Sequence, residues 1–441
     1  MKKKSRRWLK YGLTTVGVLA LCCVVAVFVG LSCAQIEATD SGVITDLRIP
    51  LGKKVAIKLR TFAGTGEHVF IKGYLAGPVV RRHPDGTWSA KWFCQDHVEK
   101  AQGHGATLTI ACAGKRHVFN LHKSPVPSAV AAMPEQLVVL SDIEGNVGFL
   151  DAALRKLGVV DAAGHWQYGK GQLVVLGDSV DRGRDVFAVL WQLHDLGIEA
   201  QAAGGAVHVL LGNHEQYMLR ANASRGHPEY RYALQQLDGY QGSYAADTVL
   251  GVWLRAQPVA LKLGKVLFVH GGISPQVADA GLSVADLNRT MRAYWPMAAK
   301  EVPHTPARDA VLGFGGVTQY RGYFRESEDN YSKATQKDVQ HVLAHFNADT
   351  VVVAHTLVEG IERLYDGRVY AVDVNHAKAR PEVLVFRHGV PEVVDIGIHR
   401  GRPELSIRPY RGFSLFNAKD RAMLKAMHET GHRMSSMPWP Y

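Results

Sequence analysis

Five short apolar runs in this 441-residue chain each end on side chains that can bind a cation. Leu173-Val-Val-Leu176 runs into Gly177-Asp-Ser-Val-Asp-Arg-Gly183, which delivers Asp178, Asp181 and Arg182 within one turn. Residues 137–140 lead to Ser141, Asp142, Ile143, Glu144, Gly145 and Asn146. Residues 207–211 lead to Gly212-Asn213-His214-Glu215, residues 265–269 to His270-Gly271-Gly272, and residues 350–354 to His355-Thr356. A buried strand that finishes on charge presents it at the carboxyl edge of a sheet, where open α/β sheets bind ligands. Taken singly, a strand-end Asp is as often a turn residue or a cap, and a lone His as often structural. Taken together, Asp, Asn and His on five strand ends make an oxygen-and-nitrogen ligand set for divalent metal.

The elements that must position these residues follow from their spacing. Asp142 and Asp178 are 36 positions apart, and Asp178 and Asn213 are 35 apart. Each interval carries a helical pattern, over 147–157 and 185–196, so strand–helix–strand units with parallel strands are predicted. Later strands, at 259–263, 265–269, 350–353 and 369–372, are expected to form a second sheet. The predicted fold class is α/β.

At these residues the chain resembles the calcineurin-like metallophosphoesterases, most closely the PPP-type phosphoprotein phosphatases and their bacterial relatives. The family signature runs Gly-Asp-x-His-Gly, Gly-Asp-x-x-Asp-Arg-Gly, Gly-Asn-His-Glu, His-Gly-Gly and a late strand-ending His. Four of the five motifs are met almost letter for letter, over roughly residues 134–378. The first departs: Ser141 replaces Gly, and Glu144 stands where the family has a metal-binding His. The resemblance implies a two-sheet β-sandwich flanked by helices, with two divalent metals at the strand ends. By the family pattern Asp178 bridges the metals, Asp142 and Glu144 hold the first, and Asn213, His270 and His355 hold the second. His214 would be the general acid, oriented by Asp181, since an imidazole titrates near operating pH. Arg182 would grip the phosphate bidentately, with Arg321 the candidate second grip and Arg325 behind it. The aromatic stretch 294–331 is expected to wall the cleft.

This residue set suits phosphate-ester hydrolysis, which needs an activated water and positive charge around the phosphoryl oxygens. Glu144 in place of a neutral imidazole adds one negative charge to the first site. A carboxylate-rich site favours Mn²⁺ or Mg²⁺ over Zn²⁺ or Fe²⁺, so Mn²⁺ is the expected pair of ions. The expected activity is a phosphoprotein phosphatase acting on Ser, Thr or Tyr. A small-molecule or nucleotide phosphoesterase is the enzymatic alternative, and a membrane-anchored metal-binding interaction module the non-enzymatic one. Retention of His214, Asp181 and Arg182 argues against the last, because a silent scaffold has no use for an acid and a phosphate grip. A zinc-protease pattern at His428-Glu-Thr-Gly-His432 is set aside, because no third ligand follows it.

Six of the eleven net positive charges lie within the first ten residues. The remainder, 45 basic against 40 acidic side chains, is too evenly balanced for a nucleic-acid-binding surface. A composition 47% hydrophobic and 21% charged excludes wholesale disorder. Residues 11–34 carry no charge and are long enough to cross a bilayer, after a basic tail over 1–10. A single-pass signal anchor in the inner membrane is therefore expected, with the rest facing the periplasm or exterior. Cleavage after Ala34, or lipidation at Cys33, would also export the chain. Cys94 and Cys112 are the two cysteines beyond that segment, and an even pair in an exported chain suggests a disulfide. Short β segments and turns over 42–123 read as a small all-β domain without a catalytic pattern, Gly64-Thr-Gly66 being too short for a phosphate loop. A linker over 124–134, a catalytic domain over 135–400 and an extension over 401–441 complete the expected organisation.

Overall fold

The computed structural model describes residues 2–52, 55–62, 68–222, 224–295, 297, 302–401 and 405–436. Gln136–Leu140, Gln172–Leu176 and Ala206–Leu210 form a parallel ladder whose inner Val and Leu side chains are almost wholly buried. Continuous apolar runs of this kind mark strands covered on both faces. Glu382–Arg387 and Val390–Asp395 extend the sheet with antiparallel pairings. The two crossovers run through Val147–Lys156 and Val186–Ala202, close to the predicted helices. Asn146 caps the first, its side chain accepting from the Phe149 N–H, which satisfies one orphan donor of the opening turn.

The second sheet has six strands, in the order Glu362–Leu364, Val369–Ala371, Thr350–Val353, Val266–Val269, Ala260–Leu263, Val130–Ala131. Three neighbours, Val266–Val269, Thr350–Val353 and Val369–Ala371, run parallel, so their carboxyl ends emerge along one edge. Phe268 of this sheet meets Phe386 of the first edge to face, ring centroids 6.2 Å apart. The expected two-sheet α/β architecture is what forms.

The organisation around it differs from expectation. The chain divides into one compact unit of residues 1–72 with 404–439, and another of residues 73–403. The stretch 42–123 is therefore not one β domain. In the first unit Gln35–Thr39, Ile44–Pro50 and Ala56–Phe62 build a sheet that Ile407–Gly412 completes by pairing with Gln35–Thr39. Its core joins Ala34, Ile36 and Leu47 to Phe413 and Met423. The 401–441 extension thus supplies a strand and half a core.

Leu75–Arg82, Thr87–Cys94 and His97–His104 form a three-stranded sheet in the second unit, beside a hairpin of Thr107–Cys112 and Lys115–Asn120. Sheets this small cannot close a core alone, and these lie against the catalytic helices instead. Trp191 donates its indole N–H to the Pro78 carbonyl at 3.1 Å and stands edge-on to Phe119. Arg81 pairs with Asp238 at 2.6 Å, and the Tyr74 hydroxyl donates to the Arg184 carbonyl at 2.7 Å. A disulfide between Cys94 and Cys112 ties the three-stranded sheet to the hairpin. The expected linker is also structured, since Val130–Ala131 pairs in parallel with Ala260–Leu263.

The N-terminal helix spans Lys2–Ser32, and its segment Thr15–Ser32, of mean hydropathy 2.5, has none of its length buried. It is the one helix among the described residues long and apolar enough to cross a membrane. Gly64-Thr-Gly66 lies outside the described residues. His428 and His432 lie on the helix Ala418–Ser436, and their side chains are likewise outside what is described.

Candidate metal centre and active site

Of the residues given a metal-binding, acid or phosphate-gripping role from the sequence, all except His270 and Asp181 line one cavity of about 300 Å³. Those two are fully buried against its wall, through Asp178 and His214 respectively. Close approach of the strand ends explains the glycines of the motifs. A Cβ on Gly212 would fall 2.1 Å from Asp178 Oδ1, and one on Gly177, whose φ is +83°, 2.7 Å from the Gly212 nitrogen. The loops after Leu140 and Leu176 are then laced by backbone hydrogen bonds from Asp142 to Gly177, Glu144 to Asp178 and Gly145 to Ser179, each 2.9–3.0 Å. Asp142, Glu144, Asp178, Asp181, Arg182 and His355 all have φ between 47° and 66°. Left-handed backbone costs a non-glycine residue about 1–3 kcal/mol and concentrates where function holds it in place.

Glu215 fastens this turn from beneath. Wholly buried, it accepts from the backbone N–H groups of Asp178, Ser179 and Gly212 at 3.0, 2.7 and 2.7 Å. Burial, and then the charge of Asp178, raise its carboxyl to about 7.

Three buried side chains, Asp178, His270 and His355, offer ligand atoms that all lie within 4.8 Å of one another. His270 directs Nδ1 to the Leu176 carbonyl at 2.8 Å, leaving Nε2 at 3.1 Å from both Asp178 Oδ2 and Asn213 Oδ1. A ring nitrogen anchored on a carbonyl while the other faces a carboxylate is the usual orientation of a metal-binding imidazole. The cluster draws positive charge. Burial alone would lower His270, yet Asp178 and Asp142 raise it to about 10. Burial and then the repulsion of His270 and Arg321 hold His355 well below the ordinary imidazole range, in the neutral form that ligates. Asp142, buried with its Oδ2 lacking any hydrogen-bond partner, is pushed well up by burial and by Asp373. A buried, unpartnered carboxylate oxygen beside an Asp/His cluster fits a cation, and the donor set suits a divalent one.

His214 meets the cavity on its other side. Its Nδ1 is 2.9 Å from Asp181 Oδ2 and its Nε2 is 3.7 Å from Asp178 Oδ2. Asp181 also accepts from the Tyr240 hydroxyl at 2.5 Å, within a packed group of Tyr230, Tyr244 and Phe187. Arg182, Arg321 and Arg325 line the same cavity. Arg321 donates to the His355 carbonyl at 2.5 Å and to Thr356 Oγ1 at 3.2 Å. Tyr320 and Tyr323, expected to wall the cleft, are buried and pack on Tyr331 and Tyr365 instead.

Glu144 lines the cavity but is engaged at both oxygens. Oε1 is 3.0 Å from Arg182 Nε, and Oε2 accepts from the Asn375 side-chain amide. Asp373, which belongs to none of the five motifs, is buried and lines the same cavity as Asp142 and Asp178. Its position after the strand Val369–Ala371 was the one signal that could have found it. Nothing local marks Glu215 as an anchor, or Tyr240, 59 residues from the carboxylate it holds.

Two sheets whose parallel strands gather carboxylates, an amide and imidazoles at one edge define an α/β metallohydrolase. The calcineurin-like phosphoesterase family model matches residues 136–359, just over half of the chain, and the chain belongs to that family. Shewanella-like protein phosphatase 2 of Arabidopsis thaliana is 25% identical over 308 residues, covering 60% of this chain and 75% of that protein. A symmetrical bis(5'-nucleosyl)-tetraphosphatase of Janthinobacterium sp. (strain Marseille) is 31% identical over 141 residues, covering 32% of this chain and 45% of its own. Among solved structures, the cold-active protein-tyrosine phosphatase of a psychrophilic Shewanella species superposes with a TM-score of 0.66 at 30% identity, over 73% of this chain and 99% of its own. The chain is a metal-dependent hydrolase of phosphoric esters.

Proposed function

We propose that the chain is a membrane-anchored phosphoprotein phosphatase, active on phosphorylated Ser, Thr or Tyr. The observation that carries this reading is the His214–Asp181 pair, 2.9 Å apart, facing the same small cavity as the Asp/His cluster and the arginines. A space of about 300 Å³ matches a phosphoryl group and the side chain bearing it. The names of the Arabidopsis and Shewanella phosphatases support protein as substrate, and the tetraphosphatase keeps a nucleotide as the alternative.

In this reading Asp142 and Asp178 would hold a divalent metal at the first position, and Asn213, His270 and His355 would hold one at the second, together with Asp178. Bound metals supply an activated water and neutralise phosphoryl charge. Arg182 and Arg321 orient the phosphoryl group in the cavity. Asp181 keeps His214 in the tautomer that carries a proton on Nδ1, and the protonated imidazole gives up its Nε2 proton to the leaving alkoxide or phenoxide. Tyr240 fixes Asp181 in turn. The carboxylate-rich first position favours Mn²⁺.

The purified chain in detergent should hydrolyse phosphopeptides in the presence of Mn²⁺ faster than nucleotides, dinucleoside tetraphosphates or sugar phosphates, with Asp178→Asn as blank. A preference for the tetraphosphates would reassign the substrate while leaving the chemistry in place.

The helix Lys2–Ser32 and the disulfide support an anchor with the two units on the oxidising side of the membrane. Protease added to spheroplasts should then digest residues 35–441, and non-reduced peptide maps should link Cys94 to Cys112. Protection of that whole segment would reject the orientation.

A further inference from the structure

We propose that Asp373 completes the first metal position with Asp142 and Asp178, and that Glu144 serves instead as the carboxylate that holds Arg182 in place. The inference rests on the two-metal reading above and assigns a ligand beyond the family match, which stops at residue 359.

The topology brings Asp373 to the right edge. Val369–Ala371 pairs in parallel with Thr350–Val353, with Ala371 opposite Val353 and the Val372 N–H on the Val353 carbonyl at 2.9 Å. The strand therefore leaves the sheet beside the one that delivers His355. Asp373 is 2% exposed and lines the cavity with Asp142 and Asp178. Its Oδ1 accepts from the Asn375 backbone N–H at 3.1 Å.

Three buried carboxylates around one space need cations to offset them. Arg400 is the buried guanidinium on this side. It donates to the Ser141 carbonyl at 2.5 Å and lies over the Phe149 ring at 4.5 Å, behind the cluster. With the His270 imidazole, 3.1 Å from Asp178 Oδ2, that makes two positive groups against the three carboxylates of Asp142, Asp178 and Asp373. An independent observation points to a cation: Asp142, which lines the same cavity, has its Oδ2 buried with no hydrogen-bond partner. A polar oxygen left so would be costly unless something positive meets it.

Glu144 is committed elsewhere by the same turn. Asn375, two residues after Asp373, donates its side-chain amide to Glu144 Oε2, while Arg182 Nε lies 3.0 Å from Oε1. The segment that brings one carboxylate in thus fastens the other to the phosphate-gripping arginine. Three Asp oxygens make a hard site, suited to Mn²⁺ or Mg²⁺.

Calorimetric titration with Mn²⁺ and metal counting on the full-length protein test this. The native chain should bind two ions. Asp373→Asn should keep one and weaken the other by more than about 100-fold, beyond the ~10–100-fold that changes outside the ligand set cost. Glu144→Gln should keep both ions within about tenfold of native affinity and raise KM for a phosphoester through Arg182. Should Asp373→Asn not fold, the Co²⁺-loaded Asp373→Glu protein gives the second readout: its visible absorption must differ from native Co²⁺ protein. Two ions bound with native affinity by Asp373→Asn, an unchanged Co²⁺ spectrum in Asp373→Glu, or loss of an ion in Glu144→Gln overturns the proposal. A native chain that binds one ion, unaffected by Asp373→Asn, overturns the proposal and leaves the hydrolase reading intact; one that binds none overturns both.

Discussion

Asp178→Asn should abolish metal binding and hydrolysis together, whereas His214→Ala should keep its metals and lose turnover. Asp178 Oδ2 lies 3.1 Å from His270 Nε2, and its Oδ1 accepts the His214 backbone N–H at 3.0 Å. Among the described residues it is therefore the carboxylate tied to both the imidazole cluster and the acid. An amide at this position keeps the shape and an acceptor for the His214 N–H, but loses the charge that gathers cations. His214, by contrast, uses Nδ1 on Asp181 and stands with Nε2 toward the cavity. Removing a general acid costs about 10²- to 10⁴-fold in kcat, or roughly 3–5 kcal/mol of transition-state stabilisation. Metal content and kcat measured side by side on both variants decide the assignment. A His214→Ala protein emptied of metal would place His214 among the ligands instead.

Glu215→Ala should destabilise the fold by about 3 kcal/mol or more and disorder the metal-binding turn. Three buried backbone N–H groups, those of Asp178, Ser179 and Gly212, converge on this carboxylate. Leaving a buried donor unsatisfied costs about 1–3 kcal/mol each. The loss falls on the two loops that hold Asp178 and Asn213 against each other, so metal affinity should fall with stability. Glu215→Gln, which keeps one acceptor oxygen, should lie between Ala and native. Urea midpoints and Mn²⁺ titrations on the three proteins give the ranking. An Ala variant with native midpoint and native metal affinity would show that the carboxylate anchors nothing.

The strand ends were readable because each combines a local, strongly apolar run with a break and a ligand-type residue. That pattern needs no partner elsewhere in the chain to be recognised. Asp373 carries the same signal in weaker form, without a motif around it. The β segments before the catalytic domain were less legible. His97–His104 alternates half-exposed polar residues and has no apolar face to betray it, while Leu75–Arg82 contains Gly77-Pro78, which argues locally against a strand.

By itself the sequence determined the two sheets, the parallel order of the motif strands and the identity of the groups at their ends, because burial and turn chemistry act within one strand and its loop. Tertiary structure alone decided what those groups do to one another. Glu144 meets Asn375 across 231 positions, and Tyr240 reaches Asp181 across 59. Gln35–Thr39 finds its partner in Ile407–Gly412, so the chain's two ends build one sheet. Contacts of this range are fixed by how whole sheets and helices pack, since a hydrogen bond or a shared charge depends on distance in space and leaves no mark in the spacing along the chain.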